Sequence, residues 1–258
     1  MELQMVTDAI LKRFRDLVEF APAELETLAE HPDINIRVKV ASHPNCPAHI
    51  ANGLTDDPAW QVLQALAGNP NSPLEVLQKL AEHDEWCVRL EVAGNSNAPA
   101  ELLAQLADDS DDGVQAKVAD NPNCPEDVFW DFAIAGDMDI QRCCYENPAC
   151  PLPVLLHGCK DYDADLRDIA MRAIQNTSPD VWARRVAEGL SLDKPLPGHD
   201  SARTLGNELL VYGLTQAYQA IQGIELQTTL DKTLVGDIAM IACEVTHSAN
   251  PLRAKFRM

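Results

Sequence analysis

Four cysteines lie close together in the sequence and offer the most specific chemistry in the chain. They are Cys143, Cys144, Cys150 and Cys159. Thiolates at such short spacing can hold zinc or an iron–sulfur cluster. This pattern supports one functional hypothesis, a redox protein that binds a metal or a cluster. The competing interpretation is that the thiols are small apolar side chains in a core.

Carboxylates form a second candidate site. Asp108, Asp109, Asp111 and Asp112 fall within five consecutive residues. One aspartate before a helix is explained as an N-cap, but four need a further reason. Either they increase solubility, or they attract a basic protein partner and repel acidic competitors.

The acidic run at Asp161, Asp163 and Asp165 has the ligand type that calcium prefers. A calcium-binding loop, however, needs a glutamate at its twelfth position, which is Arg172 here. We therefore predict no metal site in this run.

Two tryptophans, Trp60 and Trp86, are 26 residues apart and occupy the same position after a proline. Exposed aromatic residues are frequent anchors of protein interfaces, whereas packing between helices is the alternative. The candidate partner-binding residues are Trp60, Trp86, Asp108, Asp109, Asp111 and Asp112.

Motifs of catalysis are missing from the sequence. It has no nucleophile elbow, phosphate-binding loop or metalloprotease motif. His31 and His83 recur in equivalent Leu-Ala-Glu-His contexts, which indicates a role in the scaffold. We therefore predict a protein that is not an enzyme, with no catalytic residue, no metal and no cofactor.

The amino-acid composition limits the classes of partner that the protein is expected to bind. Forty acidic residues against twenty Lys and Arg give a formal net charge of −20, which repels nucleic acid and anionic lipid. No segment has the roughly 18 to 20 apolar residues of a membrane span, and the first 20 residues lack the pattern of a secretory signal. The expected partner is a basic protein, without direct nucleic-acid or membrane binding, and the expected location is the cytoplasm.

The elements that position these residues follow from a repeat. Five prolines are spaced 26 residues apart, at Pro47, Pro73, Pro99, Pro125 and Pro151. Turn sequences such as Asn69-Pro70-Asn71-Ser72 precede them. Asn tolerates left-handed geometry and bonds to its own backbone, and proline stops one helix and can begin the first turn of the next.

Each unit has two short apolar stripes. Val76, Leu77 and Leu80 have the spacing of one helical face, and Val88 and Val92 form a second stripe after an acidic link. Helices this short need neighbouring repeats for stability. The pattern predicts a solenoid of helix pairs.

Repeat position also bears on the cysteines. Cys46, Cys124 and Cys150 occupy a position that is Ser72 or Ala98 in sister repeats, and Cys144 falls on the apolar stripe of a second helix. This equivalence favours packing over metal binding for these thiols.

The unit consists of a Pro-x-x-Leu-Leu-x-x-Leu-Ala half followed by Val-x-x-x-Val-Ala-x-Asn-Pro-Asn. Over residues 22 to about 178 it resembles the leucine-rich repeat variant family. The resemblance implies a right-handed superhelix of alternating α- and 3₁₀-helices without strands. One type of member carries an amino-terminal iron–sulfur module with clustered cysteines, but this sequence has no cysteine before Cys46, so that cluster is not implied.

The period is lost after Pro179. A linker at 192–200 is followed by two longer helical patterns, around 202–222 and 229–247, which we interpret as a cap for the array. An oligomerisation element is the alternative. The chain ends in a small basic tail with Arg253, Lys255 and Arg257.

The sequence therefore predicts an all-α, right-handed solenoid of short helix pairs, α/3₁₀ or α/α, with about six 26-residue repeats. The predicted domains are an N-terminal capping helix (1–21), the solenoid (22–190) and a C-terminal helical cap with the basic tail (191–258). The predicted function is a non-catalytic scaffold or adaptor with an acidic, elongated surface. The alternatives are the metal or iron–sulfur redox protein and a nucleic-acid mimic that blocks a DNA-binding protein.

Overall fold

The computed structural model describes residues 12–13, 20–195 and 203–248, with side chains as far as residue 234. Its regular elements within these ranges are α-helices, and only an isolated bridge between Pro195 and Thr204 has extended pairing. The prediction of an all-α fold is confirmed. Most of the predicted capping helix at 1–21 and the basic tail lie outside the described residues.

Six helix pairs follow one another at the predicted spacing. The first and second helices of the pairs are α1 (Pro22–Ala29) and α2 (Ile34–Ala41), α3 (Ala48–Leu54) and α4 (Trp60–Ala67), α5 (Leu74–Ala81) and α6 (Trp86–Gly94), α7 (Ala100–Leu106) and α8 (Asp112–Asp120), α9 (Glu126–Ala135) and α10 (Met138–Glu146), and α11 (Leu152–Gly158) and α12 (Ala164–Gln175). Both helices of each pair are α-helices, so the α/α alternative is correct for these residues. The 3₁₀-helices implied by the resemblance are not found in them.

The repeated prolines mark the start of each first helix from α3 onward. Pro47, Pro73, Pro99, Pro125 and Pro151 are N-cap residues with extended ψ values between 141° and 159°. They therefore stand one residue before the first turn, whereas the sequence predicted them within that turn. The fixed φ of proline suits an N-cap as well, because that residue keeps a non-helical backbone.

The core is built from the predicted stripes. Val62, Val88, Val114 and Ile140 are buried at equivalent positions of the second helices, and Leu77 is buried in a first helix. The second helices of neighbouring repeats pack closely on one another from α2 to α10, and they form the main layer between repeats. Stacking therefore stabilises helices of only seven to twelve residues.

Buried asparagines join each repeat to the one before it. Asn95 donates from Nδ2 to the carbonyls of Ala67 (2.7 Å) and Asn69 (2.9 Å), and its Oδ1 accepts the backbone N–H of Asn97. The same three bonds recur at the equivalent residues Asn69, Asn121 and Asn147. We call these four residues the asparagine ladder.

The predicted bond of each ladder asparagine to its own backbone is confirmed. The prediction of a left-handed backbone at these residues is wrong. Asn95, Asn121 and Asn147 have φ values near −70° with extended ψ. The side chain must reach backward to the preceding repeat, and an extended residue at the end of the second helix allows it to do so while it closes the local turn.

The chain divides into two compact units, Met1–Ala170 and Met171–Met258. The second unit contains α13 (Pro179–Ala187), α14 (Leu205–Val211) and α15 (Thr215–Ser248), and α13 and α14 both pack on α15.

The predicted pair of helices around 202–222 and 229–247 is wrong, because one helix of 34 residues continues through the expected break. The real break follows α14. There Gly213 takes a positive φ of 70°, and Leu214 donates its N–H to the Leu209 carbonyl, which closes the helix end. Gly223 lies within α15 and has open space around it, so it weakens that helix without ending it.

Candidate functional site

The acidic link at 108–112 connects α7 to α8, and its four carboxylates have different environments. Asp109 accepts hydrogen bonds from Nε (2.6 Å) and Nη2 (2.8 Å) of Arg89. Both side chains are largely buried, with 6% of Asp109 and 14% of Arg89 exposed. Arg89 lies in α6 and also donates to the carbonyls of His83 and Asp84 in its own link. It therefore connects the link between α5 and α6 to the link between α7 and α8.

The ion pair with Arg89 affects the pKa of Asp109. The hydrogen bonds from Arg89 hold the pKa of Asp109 below its ordinary value, against the opposing effect of burial. Arg37 and Asp57 form the same bidentate pair two repeats earlier, at 2.6 and 3.0 Å. Gln115 and Arg167 occupy the position of Arg89 in later repeats, and both donate to carbonyls of their own links. A long polar side chain occupies this position in five of the six repeats, and the exception is the buried Leu63 in α4.

Asp111 is the N-cap of α8, as the simpler interpretation of the acidic links expected. Its carboxylate accepts the backbone N–H groups of Gly113 and Val114. Asp33 and Asp137 cap α2 and α10 in the same way. Asp108 and Asp112 are exposed, and neither forms an ion pair with another described residue. Two of the four carboxylates therefore face solvent, and the other two stabilise the folded structure.

Exposed apolar side chains stand at the first position of four second helices. We call Ile34, Trp60, Trp86 and Met138 the apolar row, and between 40% and 57% of each side chain is exposed. These residues lie two positions before a buried residue such as Val62 or Val88, so the helix turns them outward. The tryptophans were found from the sequence, but Ile34 and Met138 were missed, although the same 26-residue register contains them.

Asp112 occupies the position of the apolar row in α8. Asp112 therefore belongs both to the acidic link and to the series of equivalent positions that the apolar row occupies in other repeats. Acidic residues also directly precede the row at Asp33, Glu85 and Asp137. The first unit thus carries large apolar side chains beside carboxylates on the starts of its second helices.

A groove of about 370 Å³ opens between α7, α8 and α9. Three carboxylates line it, those of Asp108, Asp127 and Asp131, together with apolar side chains that include Val128 and Phe132. None of its lining residues is Lys or Arg. The groove has a size that admits one long side chain, and its charge favours a cationic one.

The four clustered cysteines do not converge. Cys144, Cys150 and Cys159 are buried, while the neighbouring Cys143 is half-buried because consecutive helical residues point about 100° apart. Burial raises the pKa of Cys159 to about 12, which disfavours the thiolate that a metal requires. Among the residues whose side chains are described, no group of three or more His, Cys, Asp or Glu residues could hold a metal ion. The structure gives no support to the metal or iron–sulfur hypothesis.

The two equivalent histidines serve the turns. Nδ1 of His31 accepts the backbone N–H of Asp33, and Nδ1 of His83 accepts that of Glu85, both at 3.0 Å. Asp57, Asp109 and Asp161 accept the corresponding N–H groups in other links. This agrees with the scaffold role inferred from their sequence context.

This arrangement defines a helical repeat protein with an exposed apolar and acidic surface. A family model described as leucine rich repeat variant matches residues 86–111, which comprise α6, α7 and most of the acidic link. The resemblance that the sequence motif indicated is confirmed by this match. No curated protein matches the chain. None of the helices in the described residues combines the length and hydropathy needed to cross a membrane.

Proposed function

We propose that the helical repeats form a non-catalytic scaffold that binds a basic protein through the apolar row and the exposed carboxylates Asp108 and Asp112. Helical repeat families of this kind typically mediate protein interactions. The observation that carries the proposal for this chain is the exposure of Trp60 and Trp86 at equivalent positions.

The tryptophans distinguish a binding surface from a merely soluble one. Exposed carboxylates alone are explained by solubility, but large exposed indole rings are not, because leaving them in water costs free energy. Tryptophan is also enriched among the residues that dominate interface energy. A repeated pair with acidic neighbours is therefore well suited to an amphipathic partner with basic residues.

The electrostatics favour the same kind of partner. The chain has a net charge of −20, and the groove next to Asp108 is lined by three carboxylates without a basic residue. Such a field accelerates the approach of a cationic protein and discriminates against acidic ones. A lysine or arginine side chain of the partner would fit the groove, with its aliphatic part against Phe132.

Quantitative affinity capture from a lysate of the source cells tests this function. The double variant Trp60→Ser/Trp86→Ser should lose most of a partner that the wild-type chain retains. Leu74→Ser is the matched control, because Leu74 is an exposed apolar residue on a first helix, with 45% of its surface accessible. The control should retain the partner.

Equal retention by the tryptophan variant and the wild type would refute the assignment of the row. If the captured protein binds DNA, and DNA displaces it competitively, the nucleic-acid mimic would be the better description of the same surface.

A further inference from the structure

Helix α15 has two apolar faces, and only one of them is covered. Ala217 and Ile221 are buried, and α13 and α14 pack on this helix. Leu226, Leu230 and Leu234 are 60%, 55% and 57% exposed. Ile221 precedes Leu230 by nine residues, which places it about 180° away around the helix. The three leucines therefore form a separate stripe, directed away from the core of their own unit.

We propose that this leucine stripe pairs with the same stripe of a second copy of the chain, so that two α15 helices form an antiparallel, two-fold symmetric dimer. The exposed leucines recur at every fourth residue, so the stripe has the same spacing on both sides of Leu230. A two-fold axis through Leu230 would bring the two Leu230 side chains together and set Leu226 against Leu234 of the second copy. An isologous dimer requires a self-complementary patch of this kind.

Charge identifies a second copy as the occupant of this stripe. Between Leu226 and Leu234 the only charged residues are Asp231 and Lys232, which cancel. On a chain with a net charge of −20, this is a segment of zero net charge at which two copies can approach with little repulsion. A basic partner would find no excess of carboxylates there, in contrast to the apolar row of the first unit.

The remaining part of the helix leaves space for an antiparallel partner. Gln219, Gln222 and Gly223 continue the stripe toward the beginning of α15, and all three are exposed. Leu230 is the sixteenth of 34 residues, so the axis falls near the middle of a helix about 51 Å long. In an antiparallel pair, the first halves of the two α15 helices lie at opposite ends of the dimer. In a parallel pair, the two acidic chains would lie together at the same end.

Sedimentation velocity over a concentration series of the full chain tests the proposal. The wild type should form a dimer in a concentration-dependent manner. Leu230→Asp, which places two carboxylates at the axis, should weaken the dimer by roughly tenfold or more. Leu230 is exposed in the single chain, so the substitution should leave the helical circular dichroism spectrum unchanged.

Thr229→Asp is the matched control, because it adds the same carboxylate at an exposed position about 100° from Leu230 on the helix. It should sediment like the wild type. A wild-type chain that stays monomeric at all concentrations would overturn the proposal, as would a dimer that Leu230→Asp leaves intact.

Cysteine cross-linking tests the orientation. Under mild oxidation, Leu230→Cys should form a covalent dimer above the background of the native thiols, because the two positions meet at the axis. Leu226→Cys should not, since it faces Leu234 of the second copy. Equal cross-linking at both positions would contradict the antiparallel arrangement.

Discussion

The carboxylates of the acidic link serve two purposes that their sequence does not separate. Asp109 is bonded to Arg89, Asp111 caps a helix, and Asp108 and Asp112 face solvent. The same residue type therefore contributes to stability at two positions and is available for binding at the other two. Mutagenesis of the link must treat them separately.

Asp109→Asn should destabilise the first unit by about 2 to 3 kcal/mol at pH 7, because it removes the charge that Arg89 pairs with in a largely buried site. The folded-state pKa of Asp109 lies below that of the unfolded chain. Its contribution is therefore complete above an unfolded-state value of about 3.9, and it is lost as the pH falls through the folded-state value.

Urea unfolding at a series of pH values measures this effect. The difference between Asp109→Asn and wild type should be constant from pH 5 to 7 and shrink below about pH 4. Asp112→Asn is the control, an identical chemical change at an exposed position in the same link, and it should alter the stability by less than about 0.5 kcal/mol. A control that is as destabilised as Asp109→Asn would show that the ion pair is not the cause.

Sequence reasoning predicted the caps of this link but not its ion pair. An aspartate before an apolar stripe is a local pattern, and Asp111 fits it. Arg89 lies 20 residues from Asp109, and only the stacking of one repeat on the next brings them together. The same limit applies to the ladder asparagines, whose local bond was predicted while their carbonyl partners, 26 and 28 residues earlier, were not.

At the scale of the helix pair, the asparagine ladder should contribute more to stability than the exposed asparagines beside it. Asn95→Ala leaves the carbonyls of Ala67 and Asn69 and the N–H of Asn97 without their buried partner. We expect a loss of about 3 kcal/mol or more in the free energy of unfolding.

Asn97→Ala is the matched control for the ladder, since Asn97 is exposed and reaches only the Pro70 carbonyl with its side chain. Thermal and urea unfolding of the two variants should show a clearly smaller loss for Asn97→Ala. Equal losses would contradict the special role of the buried position.

The helices themselves could be predicted to different extents. The 26-residue proline spacing predicted where five of the six helix pairs begin, because a proline after such a turn stops one helix and precedes the next. The second unit has no such period, and the break predicted between residues 222 and 229 is instead made by Gly213. Composition does not decide between these two glycines, since the outcome depends on whether the backbone there must turn.

At the scale of the whole molecule, the charge of −20 should govern how fast the partner binds. Asp108→Asn/Asp112→Asn removes two exposed carboxylates and leaves Asp109 and Asp111 to hold the link. We expect a slower association rate by several-fold at low salt, and a difference that fades as salt screens the charges. Surface plasmon resonance with the captured partner measures it, and a salt-independent loss would argue against electrostatic steering.

The most direct test of the scaffold function is photocross-linking inside the source cells. A benzophenone amino acid in place of Trp86 should form a covalent adduct with one protein, the same one that the wild-type chain captures. The same group in place of Ile134, which is 67% exposed on a first helix, is the control and should form none. We expect an adduct at position 86 alone. No adduct at position 86, or equal adducts at both positions, would contradict the assignment of the apolar row as the binding surface.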